Sequence, residues 1–401
     1  MKKRSFMIMT VILLFAGFQG FSLDLYTAES GHYRILSDIS QDDAVSMTSR
    51  MEAYYGFFNR YFRFRDDTME AKLTVRVFGN KESFDSYLTR LIPQSRDSYV
   101  YIQYRDPAKS ELVVYRTDGR FSDEMLIHHA FIQFLKGYVP NPPLWILSGF
   151  SLYFEKSVYR SEDASVLYKE NTAWIKPLKE IVHLETLGDG HGELLSLEQL
   201  FTATADDVTV YGTSFYPQAW GWISFFIHSE QKGYSRILWD AISSLRSDAP
   251  LETNSGTVYS ETVPWYRTDV LKYDFMRYAE SLMTFSEMVT TGIVKYKAAD
   301  YEAARALFQK ALSLQSDSPV PYYYLGLISY GEENFTDAEY YYNTSLNAGG
   351  ERALCLYALG LNSMAAKRFG EAREYLAQAA SSDPAKYGSK VQDLLVKLEE
   401  Q

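Results

Sequence analysis

The 401-residue sequence predicts an α+β domain of alternating strands and helices, followed by an all-α array of repeated helix pairs. Three observations carry this. Residues of one kind recur at steps of 34 in the last third of the chain: Gly292, Gly326 and Gly360; Ala304, Ala338 and Ala372; Tyr301, Phe335 and Phe369. Upstream, short apolar runs rich in β-branched residues alternate with stretches of helical spacing. The composition, 46% hydrophobic and 23% charged, is that of a soluble chain with enough material for two or three domains.

Taken in order, the chain opens on Lys2, Lys3 and Arg4, then an apolar run from Phe6 to Phe18 that is too short to span a bilayer. Gly20 and Ser22 follow, so residues 1–22 are expected to be a signal peptide cleaved near Ser22, with retention as an anchor the other option. The expected protein is therefore bacterial and exported, periplasmic or secreted, with no transmembrane domain after cleavage. Its single cysteine, Cys355, lies far from the signal, which excludes a lipoprotein and any internal disulfide. That thiol is expected to be a small buried side chain on a helix. A formal charge of -11 argues against a nucleic-acid partner.

Residues 23–248 are expected to form the first domain. "GHYRILSD" and "AKLTVRVF" read as strands flanking the helix "DAVSMTSRMEAYYGFFNRYF". "SYVYIQYR" and "ELVVYR" read as two more strands, separated by the turn "DPAKS". Ser122 and Asp123 can cap a helix running to about Lys136, and "PNPP" forces a second helix to start, carrying Trp145 to Ser157. Residues 249–284 read as an exposed linker followed by a connecting helix, because "SDAPLETNSGTVYSETVP", residues 247–264, lacks periodicity.

The two helices around "LIHHAFIQFLKGYVPNPPLWILSGFSLYFEK" decide the chemistry. Their order after the strands resembles the MA-like, or gluzincin-type, metallopeptidase domain, and the likeness extends through "LLSLEQLF" and "YGTSFYPQAWGWISFF". That family carries His-Glu-x-x-His on the first helix and Asn-Glu-Gly-x-Ala-x-Tyr on the second. Two histidines four apart ligate one zinc, the glutamate between them serves as general base, and the second helix supplies the third ligand. Here the matching positions are His128, His129, Ile132 and Ser148; starting one residue later puts Ala130 and Gln133 at the base and second-ligand positions. Either way the base and two ligands are gone, so no catalytic residue, metal or cofactor is expected, and the resemblance implies a pseudo-peptidase. The alternative is a metal-dependent hydrolase with a rebuilt site of Glu124, His128 and Glu155. A weaker cation candidate is the loop gathering His183, Glu185, Asp189, His191 and Glu193.

The 34-residue columns, as in "AADYEAARALFQKALSLQSDSP", resemble the tetratricopeptide repeat, with three repeats over 285–386 and a polar capping helix over 387–401. In that family the first helix of each pair lines a concave groove. The resemblance then assigns the groove to Tyr296, Tyr323, Tyr324, Leu327, Tyr330, Tyr357 and Leu361, a lining that suits an apolar or extended segment of a protein or peptide partner. The leading expectation is an exported, non-catalytic binding protein. A structural envelope component whose groove is filled by its own chain is the third reading.

Overall fold

The apolar residues of "YRILS" and "LTVRVF" bring two parallel strands side by side, and a 22-residue helix makes the crossover that such a pair requires. The computed structural model describes residues 25–92, 96–187 and 194–399; the expected signal segment lies outside them. The chain divides into two units after Leu282.

The first unit begins β1 (Tyr26–Glu29), β2 (Tyr33–Ser37), α1 (Gln41–Phe62), β3 (Leu73–Phe78), α2 (Lys81–Leu88), β4 (Val100–Ile102) and β5 (Glu111–Tyr115). Among the described residues these strands form a five-stranded sheet in the order β1-β2-β3-β5-β4. β2, β3 and β5 run parallel, with Ile35 beside Val75 and Val75 beside Leu112, while the edges β1 and β4 are antiparallel. Every residue of β5 is buried, which accounts for its nearly unbroken apolar run.

Next come α3 (Asp123–Tyr138), α4 (Leu144–Phe154) and the hairpin β6 (Val158–Arg160) and β7 (Ser165–Leu167). Helices α5 (Ile175–Leu187), α6 (Leu197–Phe201), α7 (Ala205–Tyr211), α8 (Phe215–His228), α9 (Lys232–Ser243), α10 (Leu251–Thr262) and α11 (Thr268–Ser281) complete the unit. The Ser122 hydroxyl accepts from the Met125 amide and opens α3 at the expected place. Phenylalanine rings lock α1 to α3 and α4: Phe58 lies 5.3 Å from Phe131 and 5.2 Å from Phe154, and Phe62 lies 4.8 Å from Phe150, between centroids. On its other side α4 approaches α8 so closely that a Cβ on Gly149 would sit 2.5 Å from the Ala219 carbonyl oxygen.

The expected linker is not a loop. Residues 251–262 are the helix α10, and all of 249–282 belongs to the first unit. The inward face of α10 carries Asn254, Ser255, Val258 and Thr262, helically spaced but mostly polar, so hydropathy conceals it. Buried Asn254 satisfies itself by donating to the Asn141 and Arg246 carbonyls and accepting from the Arg246 amide.

The second unit is all-helical and repeats at 34 residues: α12 (Phe285–Lys297) with α13 (Tyr301–Leu314), α14 (Pro319–Gly331) with α15 (Phe335–Asn347), and α16 (Arg352–Ala365) with α17 (Phe369–Ser382). α18 (Pro384–Glu399) follows, three residues earlier than expected, and buries Tyr387, Val391 and Leu398. In each pair a glycine on the first helix receives a bulky side chain from the second: Gly292 faces Phe308, Gly326 faces Tyr342 and Gly360 faces Leu376. The connecting turns are alike too. Ala299, Glu333 and Lys367 have φ of 59°, 60° and 61°. Each turn closes with paired amide bonds to the preceding helix, Asp300 to Lys295 and Ala299 to Tyr296 in the first, Asn334 to Ser329 and Glu333 to Tyr330 in the second, and Arg368 to Ser363 and Lys367 to Met364 in the third. Cys355 is buried beside Ser345, as expected, and burial pushes its thiol pKa up.

Two glycine substitutions should have opposite signs. Gly149→Ala should cost about 1–3 kcal/mol through overpacking against α8, whereas Gly256→Ala, in open space on α10, should gain about 0.5–1 kcal/mol. Denaturant unfolding monitored by helical circular dichroism reads both.

Candidate functional site

The helix pair α3–α4 places the peptidase-motif positions in the core of the first unit. His128 is buried, and its Nδ1 lies 3.4 Å from Glu155 Oε1 at the C-terminal end of α4. Glu155 Oε2 accepts from Asn171 Nδ2 at 2.8 Å, and the same amide donates to the Leu152 carbonyl. Next along the helix, His129 turns the other way: its Nδ1–H donates to the Met125 carbonyl at 2.8 Å, because a carbonyl can only accept. Burial lowers the His129 pKa well below its ordinary value, and His128 lowers it further.

The remaining motif positions are occupied by packing residues. Ile132 is 7% exposed within the main hydrophobic core, and Ser148 is buried, its carbonyl accepting from Ser151. In the shifted register, Gln133 spends its amide on the Thr74 carbonyl at 2.7 Å, pinning α3 to β3. The family-like residues on α4 are all structural. Trp145 stacks on Phe201 at 4.1 Å, Gly149 admits α8, and Tyr153 bonds His228 Nε2 at 2.9 Å.

The rebuilt ligand set does not assemble. His128 and Glu155 come together, but Glu124 is exposed and bonds Lys156 Nζ at 2.5 Å, since the lysine's long stem reaches it from the end of α4. Among the described residues no three His, Cys, Asp or Glu side chains are placed to hold a metal ion. In the acidic loop, Glu185 pairs with Lys272, and Asp189, His191 and Glu193 lie outside the described residues.

Two polar constellations escaped the sequence reading. Asn171, which holds Glu155, sits outside any regular element and gives no periodic signal. His32 lies between Glu52 Oε2, at 2.7 Å, and Asp66 Oδ1, at 3.5 Å, with its ring stacked on Tyr55; those partners are 20 and more residues away, which no local motif announces.

In the second unit, the seven groove positions lie on α12, α14 and α16, and all seven are half-buried. Tyr324 stacks on Phe308 at 5.3 Å and meets Tyr296 edge-on at 5.4 Å. Tyr323, Leu327 and Tyr330 flank buried Tyr342. Tyr357 lies 4.9 Å from Tyr387 of α18. Leu361 sits one turn further along α16. The rings converge from several helices: burial raises the Tyr323 pKa, and Tyr387, Tyr324 and Tyr296 are near enough to raise it further. Tyr323, 5.8 Å from both Tyr324 and Tyr342, is committed to neighbouring rings as Tyr324 and Tyr357 are, and Tyr330 lies 6.1 Å from Phe335.

No family model matches the chain, and no curated protein matches it. Among solved structures, 26 chains match, including the first TPR of Spaghetti (RPAP3) bound to the HSP90 peptide SRMEEVD. That structure is 16% identical, covers 29% of this chain and 90% of its own, and has a TM-score of 0.27.

The pH dependence of His129 has a definite sign. Its folded pKa lies below the unfolded value near 6.5, so the unfolded chain takes up the proton first and stability falls as pH drops below about 6.5. His129→Gln should lose less stability than the parent between pH 6.5 and 4.5 in matched thermal melts. A larger loss in the variant would contradict the assignment.

Proposed function

We propose that this chain is an exported, non-catalytic binding protein. Its first unit is a peptidase-like frame that has lost the reaction, and its repeats hold an extended apolar segment of a protein partner. The observation that carries the reading is the half-buried aromatic strip of Tyr296, Tyr323, Leu327 and Tyr330 on the first helices of successive repeats. Rings with one face packed and one open offer large contact area at little entropic cost, and such residues dominate binding energy at protein interfaces. The frame reading is supported by what occupies the motif positions: an isoleucine and a serine where a zinc site needs imidazole and carboxylate. No helix among the described residues is long and apolar enough to cross a membrane.

The groove is tested with an array of short unstructured peptides graded in apolar content. Apolar peptides should bind, and Tyr330→Ala should weaken them by about 2 kcal/mol, roughly thirtyfold in Kd, with the melting temperature little changed. Tyr323→Ala, Tyr324→Ala and Tyr357→Ala should also lower the melting temperature, since each ring packs against a neighbouring ring. Unchanged binding in Tyr330→Ala would sink the groove proposal.

The frame is tested by elemental analysis. Purified protein should carry well under one zinc per chain, and chelators should leave its melting temperature unmoved. Stoichiometric zinc that disappears in His128→Ala would overturn the non-catalytic reading. Restoring a zinc site should take His129→Glu, Ile132→His and Ser148→Glu together.

A further inference from the structure

A cavity of about 420 Å³ opens beside the β4 edge of the sheet, away from the His128 region and independent of the repeats. Its size falls at the small end of the roughly 300–1,000 Å³ typical of ligand pockets. Leu73, Tyr101 and Pro140 are among its apolar walls, and Lys136, Gln103 and Arg105 contribute polar groups. Lys136 sits near the C-terminal end of α3 and is 8% exposed. Its ammonium donates to Gln103 Oε1 at 2.9 Å and to the Pro140 carbonyl at 3.3 Å, both neutral acceptors. Gln103 is itself oriented by donating to the same carbonyl at 3.1 Å.

The charge balance of this cavity is unusual. Among the described residues no carboxylate lines it, although the chain as a whole is strongly acidic. Glu111, near enough to Tyr104 to disfavour that phenol's ionisation, is already engaged by Arg76 at 2.9 Å and by Tyr87. A buried ammonium ordinarily has a counter-ion. Burial alone lowers the Lys136 pKa to about 8, which still leaves the group charged at neutral pH. A second cation, exposed Arg105, stands at the mouth. The cavity thus presents a fixed positive charge inside, a second at the rim, and apolar surface between them.

We propose that this cavity binds a small amphipathic carboxylate, with Lys136 as its buried counter-ion, Arg105 guiding it at the mouth, and the Leu73, Tyr101 and Pro140 walls taking its apolar body. The match is chemical: a carboxylate supplies the missing negative charge and acceptor oxygens, while a short hydrocarbon or aromatic body suits walls that offer few other polar groups.

Calorimetric titration of the full chain with octanoate, octanol and inorganic phosphate tests this. Octanoate should bind once per chain, with octanol and phosphate each at least about tenfold weaker, because one lacks the charge and the other the apolar body. Lys136→Met should weaken octanoate about tenfold or more, and Arg105→Gln, a surface change that leaves the fold alone, should weaken it severalfold. Should Lys136→Met fail to fold, Arg105→Gln together with the three-ligand comparison still decides. Absence of octanoate binding, octanol binding as tightly as octanoate, phosphate binding as tightly as octanoate, or unchanged affinity in Arg105→Gln would each overturn the proposal.

Discussion

Five phenylalanine rings set the geometry of the first unit. Phe58 and Phe62 reach down from α1, and Phe131, Phe150 and Phe154 answer from α3 and α4, with centroids 4.8–5.8 Å apart. Rings at these separations adopt tilted and edge-to-face arrangements, so the contact fixes rotation as well as distance. That rotation decides which residues of α3 look inward. With Phe131 and Phe134 pointed into the aromatic core, Gln133 is left to reach the sheet at Thr74, and His128 falls opposite the end of α4, where Glu155, held by Asn171, meets it. The positions that a zinc peptidase would fill with ligands are thereby positions of close packing. Rings, not ligands, hold α1, α3 and α4 together.

The second unit solves the same problem differently. There the recurring contact is a missing side chain: Gly292, Gly326 and Gly360 each leave room for a ring or leucine from the partner helix. Each helix pair can bury little alone, and stacking on its neighbours supplies the rest of the core. Tyrosines at the seams are packed on one side and partly open on the other.

Much of this was legible in the sequence. The 34-residue columns gave every helix pair of the repeats, because a glycine that must admit a ring leaves a mark at a fixed step. The strands flanking α1, the hairpin of β4 and β5, and the caps of α3 and α4 were equally visible, since Ser122 and Pro143 act through local chemistry. What escaped was whatever depends on distant partners. α10 was hidden because its inner face carries Asn254, Ser255 and Thr262, and Asn254 and Thr262 are held there by hydrogen bonds and not by hydropathy. Glu124 and His128 have the spacing of a ligand pair, yet the deciding contact, Lys156, comes from the other helix. The charge of Lys136 reads as an ordinary helix-end lysine until the sheet edge and the Pro140 turn are seen to enclose it.

The three turns at Ala299, Glu333 and Lys367 share a left-handed backbone and the same paired amide bonds, although one carries a methyl group, one a carboxylate and one an ammonium. The backbone alone specifies this turn, and all three side chains are exposed. The ridge they form is therefore a ruler built into the array. Spectroscopic labels attached pairwise at these geometrically equivalent marks would report the curvature of the solenoid in solution without touching its core.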